Sequence, residues 1–367
     1  MNNKNNIKRI GIMTGGGDCP GLNPVIRAVT KTAISQYGWE VIGIRNGYKG
    51  LYENDWVKLE GDITSGLLHK GGTILYSSNK DNLFHYLVEE NGEMVYRDVS
   101  DVGVENIKNL DIDVMFIVGG DGTLTSARDF ARKGVNIVAI PKTIDNDLAS
   151  TDRTFGFSTA VNVATEALDR LHTTAQSHHR IMILEVMGRY AGWIALHSGI
   201  AGGADVILLP EIPYDIHKVV EKIDERKKRG KNFSIVVVGE GARPIDGEVV
   251  VRDIVEDSPD PIRLGGIGIK VAHDLEKLCG NETRATILGH LQRGGSPSSS
   301  DRILSTRYGV AAVKLAAEGK FGNMVTLKGN EMSYDSLENV IGRKSKNVNP
   351  NGDMVETARA IGISFGD

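Results

Sequence analysis

Only two cysteines, Cys19 and Cys279, occur in 367 residues. Far apart in the chain, they support neither a zinc-ligand spacing nor a disulfide framework, and a reducing cytoplasm is the expected setting. No apolar run reaches membrane-spanning length, and MNNKNNIKRI has no signal-peptide core, so neither a membrane partner nor secretion is expected. An excess of either charge is missing too: 43 Lys and Arg against 47 Asp and Glu leave a formal net charge of −4. Such a chain has no global attraction for nucleic acid, and an anionic ligand must be caught by a local cluster. Repeats, coiled-coil heptads and low-complexity tracts are absent. No G-x-G-x-x-G turn opens a helix with an acidic residue about twenty positions on, which argues against a nicotinamide-dependent oxidoreductase. The Walker A spacing is missing as well.

What the chain does have is glycine, 44 of its 367 residues, or about 12% against about 7% in average usage. These glycines stand in pairs at the ends of apolar runs, the usage of tight turns and phosphate loops rather than of linkers. The length predicts two lobes. Apolar runs alternate with helical spacing throughout, which predicts an α/β fold of two doubly wound, mostly parallel sheets.

One stretch organises the rest: VGGDGTLTSARDFARKGVNIVAIPKTIDND, residues 118–147. It reads as strand, glycine turn, helix, strand and a second turn. Two parallel strands joined by a helix deliver both turns to the same carboxyl edge of a sheet, where such folds place ligands. Asp121, Asp145, Asp147 and Lys142 then converge on one crevice, together with Gly120, Gly122, Thr123 and Thr143. Three acidic groups repel one another unless a cation is present, so the pattern suits Mg-phosphate chemistry. Near the start, residues 7–14 read as a buried strand ending in Gly15-Gly16-Gly17-Asp18-Cys19-Pro20-Gly21. Asn23 and Pro24 read as the N-cap and first turn of the following helix. That geometry aims backbone N–H groups and a helix dipole at an anion. Residues 47–51 read as a loop by the crevice, residues 83–100 as a hairpin excursion, and the end of the chain as a polar tail. Helices are expected over 158–175, 215–228, 267–279 and 301–318, and strands over 39–45, 181–186, 206–209, 233–238 and 284–288.

Taken together, TGGGDCPGLN, GGDGT, PKTIDND, EVMGRYAGW and GHLQRGGSPS resemble the 6-phosphofructokinase family, in its order and spacing, over nearly the whole chain from Ile7. GGDGT alone is shared with other kinases; TIDND, MGR and HLQRGG in series are specific. TARAIGISFGD is similar to the branch that mixes ATP and pyrophosphate users. The resemblance implies two Rossmann-like lobes with the active site in the cleft between them. A phosphoryl-donor lobe is expected over residues 1–156 plus about 291–341, and a sugar-phosphate lobe over about 157–290 plus 342–367.

The resemblance also implies roles. Asp145 matches the base that takes the C1 hydroxyl proton of fructose 6-phosphate, with Thr143, Asp147 and Arg189 as further catalytic residues and Asp121 as the Mg2+ ligand. Donor contacts fall on Gly16, Gly17, Lys80, Gly120, Asp121, Gly122, Thr123 and Lys142. Sugar-phosphate contacts fall on Thr143, Asp145, Arg180, Met187, Gly188, Arg189, Glu240, Arg284, His290 and Arg293. In the family Arg180 and Arg284 are given across a subunit interface, which implies a homo-oligomer, dimer or tetramer. Gly122 leaves room for the α-phosphate of ATP, whereas Lys142 is shared with pyrophosphate enzymes; ATP is the expected donor and pyrophosphate the alternative. Asn79 stands where the family usually has arginine, with Lys80 beside it; a non-catalytic relative would have eroded the TIDND carboxylates, and both are intact. Arg27 and Lys31 lie where some relatives bind an effector, although two basic residues at helical spacing more often form a solvated face.

Overall fold

The computed structural model describes residues 6–254 and 262–367. The first five residues, part of the N-terminus read as lacking a signal-peptide core, lie outside that range. Two mostly parallel sheets dominate. Across the larger one the strands run Glu331–Ser336, Asn323–Lys328, Ile137–Thr143, Val114–Gly119, Arg9–Thr14, Glu40–Ile44 and Trp56–Lys58, and Phe155–Gly156 adds to Ile137–Thr143. The smaller sheet orders Val206–Leu208, Ser234–Gly239, Ile181–Val186 and Thr283–Ile287, all parallel.

The central strands are continuous apolar runs because both of their faces are covered, as parallel sheets require. Every residue of VMFIVG and IVAIPKT, the strands Val114–Gly119 and Ile137–Thr143, is buried. Alternate residues feed two cores: Ile10, Ile12, Phe116, Val118, Val138 and Ile140 on one face, Met13, Met115, Ile117 and Ala139 on the other. The first core runs on without a break into Leu184, Val186 and Val237 of the smaller sheet. The 22-residue helix Phe157–His178 crosses between the sheets and buries Phe157, Ala160, Ala164 and Leu168 in that shared core.

Three expectations need correction. Asn23 does not cap the first helix, Leu22–Thr32. Gly21 does, at φ 119°, a backbone setting that asparagine rarely reaches. The Asn23 side chain instead braces the loop ahead of the crevice, donating to Lys70 O and Gly71 O and accepting from Ile74 N–H. Residues 47–51 are not a loop: Tyr48–Glu53 is a short helix, entered through Gly47 at φ 60° and ended by Asn54 at φ 56°. Nor is the chain's end an irregular tail. Asn323–Lys328 and Glu331–Ser336 pair antiparallel at the edge of the large sheet, and helices Leu337–Gly342 and Asp353–Ala360 follow. Glu331–Ser336 is an edge strand in which only Met332 and Tyr334 are apolar, too weak an alternation to stand out from its polar surroundings. The last residues return to the smaller sheet, where Ser364 bridges Val206 and Phe365 is fully buried.

The expected hairpin is present, Tyr86–Glu90 with Glu93–Arg97. It turns on Asn91 at φ 55° and Gly92 at φ 85°, the signs that a tight two-residue hairpin turn demands.

Candidate active site

Strands Val114–Gly119 and Ile137–Thr143 are parallel neighbours, with Gly119 opposite Pro141, so their turns leave side by side. After the first strand Gly120 is extended and helix Asp121–Arg132 begins at once. Its first-turn N–H groups have no partners within the helix, and they open toward the crevice with the positive end of the dipole. Asp121 and Gly122 are exposed at this mouth. The glycine loop after Arg9–Thr14 packs alongside: Gly15 N–H donates to Val118 O and Gly16 N–H to Ser78 O, both at 2.9 Å. A Cβ on Gly15 would sit 2.7 Å from the Thr123 methyl, so only glycine lets the two loops approach.

The second turn is built differently. Lys142, Thr143, Asp145 and Asn146 are all at most 9% exposed. Thr143 Oγ1 accepts from Asp145 N–H at 3.0 Å, and Thr143 O accepts from the Thr154 hydroxyl at 2.7 Å. Asn146 stands at φ 53°, where its Oδ1 accepts from Thr154 N–H and from Lys346 Nζ. Asp145 Oδ1 is buried with no hydrogen-bond partner among the described residues. An orphaned buried carboxylate oxygen at the end of a rigid turn suits a ligand that brings a proton or a cation. Burial, reinforced by Asp145 and Asp121, pushes the Asp147 carboxyl up to about 7, while Arg189 pulls it down. Lys142 donates to Gly17 O at 2.5 Å, and burial lowers its pKa.

From the smaller sheet, Ile181–Val186 delivers the loop Met187-Gly188-Arg189. Gly188 at φ 140° and Arg189 at φ 50° give the loop a sharp bend, and their N–H groups both donate to Glu240 Oε1, at 3.3 and 3.0 Å. Burial, with Asp145 adding repulsion, pushes Glu240 up to about 7 as well. The segment after Thr283–Ile287 closes the remaining side. Gln292, fully buried, accepts from Met187 N–H, and Arg293 donates to Asp18 O at 3.1 Å, joining the smaller sheet's loops to the glycine loop.

Gly16, Gly17, Gly120, Asp121, Thr123, Lys142, Thr143, Asp145, Asp147, Met187, Gly188, Arg189, Glu240 and Arg293 are therefore brought close together at the carboxyl ends of the two sheets' strands. His290 and Lys80 are exposed on the segments that carry Arg293 and Ser78. Arg180 and Arg284 are elsewhere. They stand at the amino ends of strands whose carboxyl ends lead to Met187 and His290, roughly 20 Å along the sheet at about 3.3 Å per residue. Both bond Glu282, Arg180 at 2.8 Å and Arg284 at 2.5 Å. Lys346, from the segment read as a polar tail, is the contributor that sequence reasoning missed. No periodicity or motif marks it. Gln292 and Asn146 lay inside quoted motifs, but only their contacts reveal their work.

The sequence model of the family described as Phosphofructokinase matches residues 9–316. The chain belongs to that family. It is 70% identical over 363 residues to the Clostridium perfringens protein named ATP-dependent 6-phosphofructokinase 2, covering 98% of this chain and 99% of that one. Among solved structures, phosphofructokinase from Saccharomyces cerevisiae superposes with a TM-score of 0.76 at 28% identity, over 91% of this chain. The chain spans only 45% of the yeast chain's length. A pyrophosphate-dependent phosphofructokinase from Marinobacter aquaeolei gives 0.77 at 25% identity, over 95% of this chain and 88% of that one. A structure titled for pyrophosphate thus shares this backbone with a chain 70% identical to a protein named for ATP, so the fold alone does not name the donor.

Proposed function

We infer that the chain phosphorylates D-fructose 6-phosphate at C1 with ATP, giving fructose 1,6-bisphosphate and ADP. The observation that carries this reading is Asp145: a buried carboxylate with an unpartnered oxygen, facing two glycine loops on one side and the Met187–Arg189 loop on the other. As the C1 oxygen attacks the γ-phosphorus, Asp145 accepts its proton. The γ-phosphoryl group passes to that oxygen, and the bond to the β-phosphate oxygen breaks. Lys142 and Arg189 supply cations around the travelling phosphate, Arg293 meets the sugar's own phosphate, and the first-turn N–H groups of helix Asp121–Arg132 receive the donor's phosphates. Glu240, neutral below about pH 7, can donate to or accept from a sugar hydroxyl.

Mg2+ fits this crevice. Asp145 and Asp147 press against each other without a neutralising cation, and Asp121 is exposed at the mouth. Among the described residues no three His, Cys, Asp or Glu groups assemble a metal cage. Asp121 would therefore hold Mg2+ together with the donor's own phosphates, as that ion prefers. Bound there, the ion offsets charge on the phosphate oxygens.

ATP rather than pyrophosphate is supported by the 70% identical relative's name and by Gly122. Lys142 is drawn into the glycine loop through Gly17 O, so it does not occupy the space beyond Gly122. Residues 1–156 with about 291–341 form the donor lobe, and about 157–290 with 342–367 the sugar-phosphate lobe. Arg180 and Arg284, turned away from their own chain's crevice, serve the sugar phosphate of a neighbouring subunit in a homo-oligomer, dimer or tetramer, in the cytoplasm. Among the described residues no helix is long and apolar enough to cross a membrane.

The test is steady-state turnover of fructose 6-phosphate with MgATP and with Mg-pyrophosphate, alongside Asp145→Asn. Turnover with MgATP alone, lost in the variant while substrate still binds, is the expected result. Turnover with Mg-pyrophosphate and none with MgATP would overturn the donor, and an active Asp145→Asn would overturn the base.

A further inference from the structure

Lys346 lies about two hundred residues from the TIDND turn, yet it makes more bonds to that turn and its continuation than any residue of the turn makes to itself. Its main-chain N–H donates to Asp147 O at 2.7 Å. Its ammonium donates to Asn146 Oδ1 at 3.2 Å and to Thr151 O and Asp152 O at 2.9 Å each, which uses all three of its donors. The residue between the two catalytic-turn aspartates, held at φ 53°, is thus pinned by Lys346 on one side and Thr154 N–H on the other. Lys346 is itself pinned by residues packed on the smaller sheet. Trp193 Nε1 donates to Lys346 O at 2.7 Å, the ammonium stands 5.9 Å from the Trp193 ring centre, and Val348 N–H donates to half-buried Glu211 at 2.8 Å. Arg343 fastens the same segment to Ser150 at 2.6 Å.

We propose that Lys346 is a positioning residue for phosphoryl transfer: it clamps the Asn146–Asp147 peptide and so fixes the direction in which Asp145 and Asp147 meet the reacting groups. The proposal rests on Asp145 acting as base. A carboxylate that must meet one hydroxyl proton tolerates little misplacement, since a shift of about 1 Å can cost on the order of 100-fold in rate. The ammonium spends its donors on Asn146, Thr151 and Asp152, so loss of Lys346 is expected to act on the chemical step rather than on binding. Asn146 is the relay. The clamp joins the turn of the large sheet to helix Trp193–Ala201 of the smaller one, so it also sets how the two halves of the site face each other.

The experiment is a mutant cycle on the full chain with Lys346→Met, which keeps the stem against Trp193, and Asn146→Gly, which keeps the positive φ. Each single variant is expected to lose about 10- to 100-fold in kcat with KM for fructose 6-phosphate and MgATP moving less than about 3-fold. The double variant is expected to be no worse than the poorer single one, because both break one clamp. Additive losses, a kcat above half that of wild type in Lys346→Met, or a loss carried by KM would overturn the proposal. Should Lys346→Met fail to fold, Lys346→Arg keeps the charge but cannot reproduce the three bonds; a reduced kcat supports the clamp and a wild-type kcat overturns it. Asp145→Asn separates the two readings: inactive, it leaves the clamp to be judged by the cycle, and active, it removes both.

Discussion

The two turns at the crevice leave neighbouring strands of the same sheet, yet they are made in opposite ways. The first, Gly119–Thr123, is open: Asp121 and Gly122 are exposed, and the first turn of the helix has N–H groups without partners inside the helix. The second, Lys142–Asp147, is closed. No helix follows it at once, its residues through Asn146 are buried, and bonds from Thr154 and Lys346 hold it from outside. The difference matches the tasks. A polyphosphate is bound by many soft contacts that exchange with water, and backbone donors at a helix start provide them. Proton abstraction depends on one oxygen in one direction, which needs a rigid, dehydrated mount.

The sharpest way to break this comparison is at the closed turn. Asp145→Asn is expected to lower kcat by about 100- to 10,000-fold with little change in substrate affinity, measured by turnover and by equilibrium titration. An equally large loss in affinity would mean that the turn binds rather than reacts. At the open turn, Gly122→Asp places a carboxylate before the donor's α-phosphate. Its kcat/KM for MgATP should fall about 100-fold, from like-charge repulsion, with kcat/KM for fructose 6-phosphate at saturating donor far less affected. Gly188→Ala sharpens the contrast from the facing loop. At φ 140°, with a Cβ 2.5 Å from Ala191 O, it should cost about 1–3 kcal/mol, read as a lowered Tm.

The smallest effect expected is a pH slope in stability. Asp147 and Glu240 titrate near 7 in the folded chain, whereas unfolded carboxyls titrate near 4. Between those values the folded chain holds protons that the unfolded chain has released. Their contribution is therefore complete below about pH 4, declines as pH rises and is lost above about 7. Asp147→Asn with Glu240→Gln should flatten the decline, so that its Tm advantage over wild type grows from pH 5 to pH 8; a constant difference would show that the closed side is not dehydrated as described.

Both turns are legible in the sequence because each is local. A buried run, a glycine pair and an aspartate within five residues specify a strand end wherever the strand goes, and two such ends joined by one helix must share a sheet edge. The order of βα units was legible for the same reason. Asn23 misled because the αL glycine before it, rather than the capping pair, starts the helix; Tyr48–Glu53 misled because two glycines in GYKGL read as a loop.

The sequence by itself therefore determined the family, the parallel sheets, the two turns and the residues at their tips. Only the tertiary structure decided that one turn stays open and the other is locked. It also decided that a lysine in an unremarkable polar segment braces the turn that carries Asp145 and Asp147. The physical reason is range. Turn and strand preferences act over a few residues, whereas the burial of Asp145 and the grip of Lys346 come from chain segments about two hundred positions apart, brought together only when the shared core closes.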